Sequence, residues 1–157
     1  MLSWTVTNSD GGKKIYRFIG EITEDVDFVS LVNDLDLHGG EFDLGGIDHI
    51  NSCGVREWIL FVRALDQKQI PFSMTMCSPS IVGQMNMISN FKGNGVVESI
   101  AVPYYCKFCE HEEFEYLNVR VDSKNSAIME NRVCSECGRD AEFDDDPESY
   151  LAFLSGG

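Results

Sequence analysis

Two groups of residues in this chain have the types and spacing to do chemistry. The first is a set of four cysteines in two C-x-x-C pairs, Cys106-Lys107-Phe108-Cys109 and Cys134-Ser135-Glu136-Cys137, about 24 residues apart. Four thiolates at this spacing, joined by a predicted hairpin, match a tetrahedral structural zinc site of the ribbon type. Each C-x-x-C turn lets two sulfurs and several backbone N–H groups converge on one ion, and Gly138 after the second pair has the conformational freedom such a turn uses. The first pair carries Glu110 at the matching place, a departure from the pattern. With sulfur at Cys106, Cys109, Cys134 and Cys137, no position is left for a catalytic water, so one structural zinc is expected. His111 is close enough in sequence to compete as a ligand and is read as a bystander. A redox pair of thioredoxin type would need different flanking elements.

The second group is Asn51-Ser52-Cys53-Gly54. It follows a predicted strand, Glu41 to Leu44, and a loop through Gly45-Gly46, and it opens a predicted helix running from about Ser52 to Lys68. A helix tip has free N–H groups and a partial positive charge, so an oxyanion is favoured there. Ser52 presents a hydroxyl at that tip. Cys53 lies where a thiol pKa can fall, and Cys77 ends the following strand. A redox pair is therefore one reading, and two small packed residues the other. His49 lies near Ser52, but no G-x-S-x-G elbow accompanies it, which argues against a hydrolase.

The elements that must position these residues follow from periodicity. Trp4 to Asn8 and Lys14 to Ile22 read as strands joined by a turn at Ser9-Asp10-Gly11-Gly12. Phe28, Leu31, Val32 and Leu35 form the stripe of a first helix, closed at Gly39-Gly40 and preceded by Glu24, Asp25 and Asp27 at the favourable end of its dipole. In the second helix Val55, Trp58, Ile59, Val62 and Leu65 share a face, leaving Arg56, Arg63 and Lys68 to water. A fourth strand, Phe72 to Cys77, leads through Ser78-Pro79 into a third helix ending near Asn90, whose Val82, Met85, Ile88 and Phe91 read as core. A fifth strand, Val96 to Val102, completes β-β-α-β-α-β-α-β, one mixed sheet with helices against it. Composition shifts at Pro103. Beyond it the knuckles bracket strands from Phe114 to Val121 and from Ala127 to Val133, with a turn at Asp122 to Ser126. An acidic stretch, Glu142 to Glu148, then precedes a short helix, Glu148 to Leu154, capped by Asp146-Pro147.

Composition narrows the functional classes. The hydrophobic content of 43% is that of a globular protein, and no apolar run reaches the roughly 20 residues a membrane helix needs. The N-terminal Met1-Leu2-Ser3-Trp4-Thr5 has no signal-peptide pattern, so a cytoplasmic location is expected. A formal net charge of -14 repels nucleic acid and anionic lipid and favours protein partners. Six cysteines without an export signal fit metal ligation better than a disulfide framework.

The run Phe42-Asp-Leu-Gly-Gly-Ile-Asp-His-Ile-Asn-Ser-Cys-Gly-Val55 resembles the signature of the STAS domain, the fold of bacterial anti-sigma factor antagonists. The resemblance covers residues 1 to about 102 and extends to Phe18-Ile19-Gly20-Glu21-Ile22 and the Cys77-Ser78-Pro79 entry to the third helix. In that family an Asp-Ser-Ser/Thr-Gly-Leu run lies at the tip of the second helix, and its first serine is phosphorylated by a kinase-type anti-sigma factor. The resemblance puts Ser52 at the phosphoacceptor position and Gly54 at the glycine. Asn51 stands where the family has aspartate and Cys53 where it has a second hydroxyl. Asn51 can cap the helix as aspartate would, but without the negative charge.

The expected architecture is thus α/β: a STAS-like mixed sheet packed against helices at 1-102, followed by a zinc ribbon with an acidic segment at 103-157. The expected function is non-enzymatic. Asn51, Ser52, Cys53, Gly54 and Arg56 form the surface for a protein partner, Ser52 is its phosphorylation switch, and the ribbon serves docking or homodimerisation. The competing expectations are a STAS scaffold subunit without a switch and nucleic-acid binding through the ribbon. The acidic segment beside the knuckles speaks against the latter.

Overall fold

The structure is a computed structural model that describes residues 1–9, 11–119 and 128–154. Asp10 and the predicted turn at Asp122 to Ser126 lie outside the described residues. Nine strands, four α-helices and one 3₁₀ turn are seen among the described residues. In chain order they are β1 (Ser3–Asn8), β2 (Lys14–Ile22), α1 (Phe28–Asp34), β3 (Gly40–Ile50), α2 (Ser52–Gln67), β4 (Phe72–Thr75) and α3 (Pro79–Met87). These are followed by β5 (Val96–Val97), β6 (Ser99–Cys106), β7 (His111–Asn118), β8 (Asn131–Val133), β9 (Asp140–Phe143), α4 (Pro147–Tyr150) and a 3₁₀ turn at Ala152–Leu154. The chain is therefore mixed α/β.

Strands β1 to β5 form one sheet in sequential order, with β1 antiparallel to β2 and the other neighbours parallel. Tyr16, Phe18, Phe42 and Phe72 line one face of it, and α1 and α2 bring Phe28, Trp58 and Phe61 onto that face through ring contacts. The other face is polar at its centre, where Arg17 pairs with Asp43 at 3.2 Å.

Strand β3 is longer than the sequence predicts. The Gly45-Gly46 stretch, read as a turn, lies inside the strand. Its pairing with β2 slips twice: Asp43 and Gly46 face Arg17 and Ile19, and Ile47 and His49 face Gly20 and Glu21. Each slip inserts one extra residue into β3, as a β-bulge does. The buried hydrophobic side chains of β3 are consequently Phe42, Leu44, Ile47 and Ile50. Their spacing of two, three and three breaks simple alternation, and so looks like the end of a strand in the sequence.

The predicted fifth strand is divided. Val96–Val97 closes the first sheet, whereas Ser99–Cys106 belongs to a second, antiparallel sheet of order β7-β6-β9-β8. Strand β6 passes residue 103 without a break, pairing Pro103 with Phe114. Proline is tolerated because β9 joins β6 only at Tyr104 and Tyr105, leaving no ladder bond to lose at Pro103 on that side. A single buried cluster extends from Leu2 to Tyr150. The C-terminal turn is fixed onto the rest by polar contacts as well. The Tyr150 hydroxyl donates to the Ala101 carbonyl at 2.6 Å, Asn86 Nδ2 donates to the Tyr150 carbonyl at 3.1 Å, and Phe153 N–H donates to Asn86 Oδ1 at 2.8 Å. Among the described residues no helix is long and apolar enough to cross a membrane.

Candidate metal centre and helix tip

The two knuckles close adjacent hairpins of the second sheet. Cys106 ends β6 and Cys109 lies in the turn to β7, while Cys134 and Cys137 lie in the turn between β8 and β9. The ligand atoms of Cys106, Cys109, Cys134 and Cys137 all lie within 4.8 Å of one another. Cys106 Sγ is 3.5 Å from Cys137 Sγ, and Cys109 Sγ is 3.6 Å from Cys134 Sγ. Sulfurs at 2.3 Å from a tetrahedral zinc would be about 3.8 Å apart, so the four thiols fit such an ion. Cys106 and Cys134 are buried, and Cys109 and Cys137 face solvent. Burial raises the Cys106 thiol, but the N–H groups of Cys109 and Phe108 and the neighbouring thiols outweigh it and bring the group down to about 7. His111 begins β7, paired with Cys106 across the ladder, and is not among the clustered ligands.

The knuckles are built alike. Glu110 N–H donates to the Cys106 carbonyl at 2.8 Å, and Gly138 N–H donates to the Cys134 carbonyl at 2.9 Å. Both residues have a left-handed backbone, with φ of 61° at Glu110 and 77° at Gly138. A side chain at that φ costs about 1–2 kcal/mol. Glu110→Gly is therefore expected to stabilise the metal-loaded chain by up to about 1 kcal/mol, the gain being reduced by the extra freedom of the unfolded glycine. Gly138→Ala should destabilise it, although nothing crowds the added Cβ. Chemical denaturation of the two variants beside the parent checks both signs.

A brace around the second knuckle is not apparent from sequence. Glu113 accepts from the Ser135 N–H at 3.0 Å and from the Ser135 hydroxyl at 2.8 Å. These bonds, the backbone one first, hold its carboxyl below the ordinary value. Arg132 pairs with Glu113 and Glu115 and lies over the Tyr104 ring. Lys107 pairs with Glu142 at 3.8 Å. Residues 22 positions apart gave no local signal for the Glu113–Ser135 contact.

At the other site, Asn51 caps α2: its Oδ1 accepts from Gly54 N–H at 2.7 Å, while its Nδ2 donates to Glu24 at 3.2 Å. Glu24, expected to serve the first helix, thus supports the second, and Asp27 alone caps α1 through Ser30. The Asn51 N–H donates to the Ile22 carbonyl at 3.2 Å, and Gly54 packs against that same carbonyl, leaving no room for a Cβ. Ser52, Cys53 and Arg56 are exposed.

Downstream of Ser52 the predicted face of α2 needs one exchange. Phe61 joins the core, stacked on Phe28 at 4.5 Å, while Val55 and Ile59 lie only half-buried. Ser52, Val55, Arg56, Ile59, Leu60 and Arg63 line one shallow groove along the helix. Neither arginine forms an ion pair among the described residues. Cys77 is fully buried, its thiol pushed well above the ordinary value by burial, whereas Cys53 is exposed. That difference removes one thiolate from any Cys53–Cys77 exchange. No protein-family model matches the chain, and no curated protein matches it.

Proposed function

We propose that this chain is a non-enzymatic, cytoplasmic regulatory module of STAS type that docks a protein partner through the tip and outer groove of α2, with a structural zinc in the four-cysteine centre. The observation that carries this reading is the groove itself: an apolar strip of exposed Leu60 and half-buried Val55 and Ile59, flanked by Arg56 and Arg63 and beginning at Ser52. Exposed apolar surface rimmed by charge marks protein-binding surfaces. The STAS part of the reading rests on the resemblance of residues 42–55 to that family's signature.

Ser52 is the switch in this reading, and the partner is a kinase-type anti-sigma factor. Phosphate at Ser52 brings about -1.5 to -2 charges one turn before Arg56, withdrawing that arginine from the partner and placing bulk at the mouth of the groove. Binding is then lost. The test is capture of the partner from native cells by wild type, Ser52→Ala and Ser52→Glu proteins. Wild type and Ser52→Ala should retain the same partner and Ser52→Glu should lose at least tenfold of it; equal retention by all three refutes the docking site. Nucleic-acid binding through the ribbon is disfavoured because Lys107 and Arg132 already pair with acids of their own chain.

A further inference from the structure

A cleft of about 370 Å³ lies between the two sheets, on a different surface from the α2 groove. Its walls come from the bulged half of β3, the start of α3, strands β6 and β7, and Asp144 after β9. On β7 the alternation of the strand puts Glu112, Phe114 and Tyr116 on one face, toward the cleft, and Glu113 and Glu115 on the other, with Arg132. Asp48 and Asp144 approach from the remaining sides.

Three observations point to an occupant. Asp48, Glu112 and Asp144 are exposed carboxylates, and none forms an ion pair among the described residues. Phe114 and Tyr116 are 42% and 48% exposed, large areas for rings at the wall of a cleft. Ser78, only 4% exposed, also lines it, and its Oγ is the one buried side-chain polar atom without a hydrogen-bond partner among the described residues. A serine before a helix ordinarily caps it, yet Ser78 makes no such bond. A buried hydroxyl with no partner is a polar group that an entering donor or acceptor can satisfy.

We infer that this cleft receives an arginine side chain carried by an extended basic segment of a protein partner. The guanidinium has a planar face for Phe114 or Tyr116 and a fork of N–H donors for the carboxylates and the Ser78 hydroxyl. Carboxylates without counter-ions on a chain of net charge -14 attract a cation and repel an anionic ligand. A segment of chain, and not a free small amine, is favoured because β7 is the edge of its sheet, with no described strand on its outer side to obstruct an extended main chain.

The test uses the full zinc-loaded chain and amide chemical shifts. N-acetyl-arginine methylamide should shift Ser80, Phe114 and Tyr116 saturably, whereas N-acetyl-glutamate methylamide should not. A blocked pentapeptide with arginine at its centre and valines around it should bind at least tenfold more tightly than the blocked amino acid. The variant Asp48→Asn/Glu112→Gln/Asp144→Asn, which alters only exposed side chains, should weaken peptide binding at least tenfold while its remaining spectrum is unchanged. The inference is overturned by absence of saturable shifts, by equal shifts from the glutamate probe, by a peptide no tighter than blocked arginine, or by undiminished binding to the triple variant.

Discussion

Cys134→Ser is expected to strip the metal from the chain and to unfold the segment that follows residue 103. Cys134 is 1% exposed and Cys106 is fully buried, and both belong to the continuous core. The hairpin turns that carry them are tied by few backbone hydrogen bonds, Glu110 N–H to the Cys106 carbonyl in the first and Gly138 N–H to the Cys134 carbonyl and Cys134 N–H to the Arg139 carbonyl in the second, and the two strands of the second knuckle, β8 and β9, are three and four residues long. Strands so short do not hold themselves together in water. Binding of structural zinc to four thiolates is worth about 10–16 kcal/mol in small zinc-folded units, comparable with or larger than the roughly 5–15 kcal/mol that stabilises a whole domain. Losing one sulfur removes enough of that energy to release β8, β9 and the knuckle end of β6. Zinc content should fall from about one per chain to near zero. Hydrogen exchange should become fast in 128–154 while the amides of β2 and β3 stay protected. A metal-free variant with unchanged protection in β9 would refute a structural role for the site.

Gly54→Ala is expected to destabilise the first sheet unit by about 3 kcal/mol, at the upper end of what overpacking a buried position costs. The added methyl would occupy the space of the Ile22 carbonyl, a backbone group that cannot rotate aside. That carbonyl is also the acceptor for the Asn51 N–H. Relief therefore requires the start of α2 to lift away from β2, which weakens the Asn51 cap and displaces Ser52 with it. Thermal unfolding should shift downward by roughly 10 °C for a chain of this size. Cys53→Ala, one residue earlier on an exposed position, should change stability by less than about 0.5 kcal/mol. If both variants melt together, the close approach of α2 to β2 does not constrain the tip.

What was legible in the sequence was local. The C-x-x-C pairs, the Asn51 cap and the amphipathic stripes of α1 to α3 each depend on residues within a few positions of one another, and the structure brings the four sulfurs together accordingly. What was not legible depends on distant partners. The bulges of β3 answer irregular pairing with β2, so Gly45-Gly46 looked like a turn. Strand β6 was expected to end at Val102 because composition changes at Pro103, yet its length is set by β7 and by Cys106. Phe61 was left off the buried face of α2 because the face was drawn through Ile59. The stack on Phe28 rotates it by one position. The Glu113 brace, the Asn86 latch and the cleft between the sheets join segments that no periodicity connects.

The role proposed for the α2 tip centres on one atom, the exposed hydroxyl oxygen of Ser52. Intact-mass measurement of the chain after incubation with ATP and the kinase captured from native cells tests it most directly, with Ser52→Ala measured in parallel. Wild type should gain one phosphate, mapped to Ser52 and absent from Ser52→Ala. Equal labelling of the two proteins would contradict it.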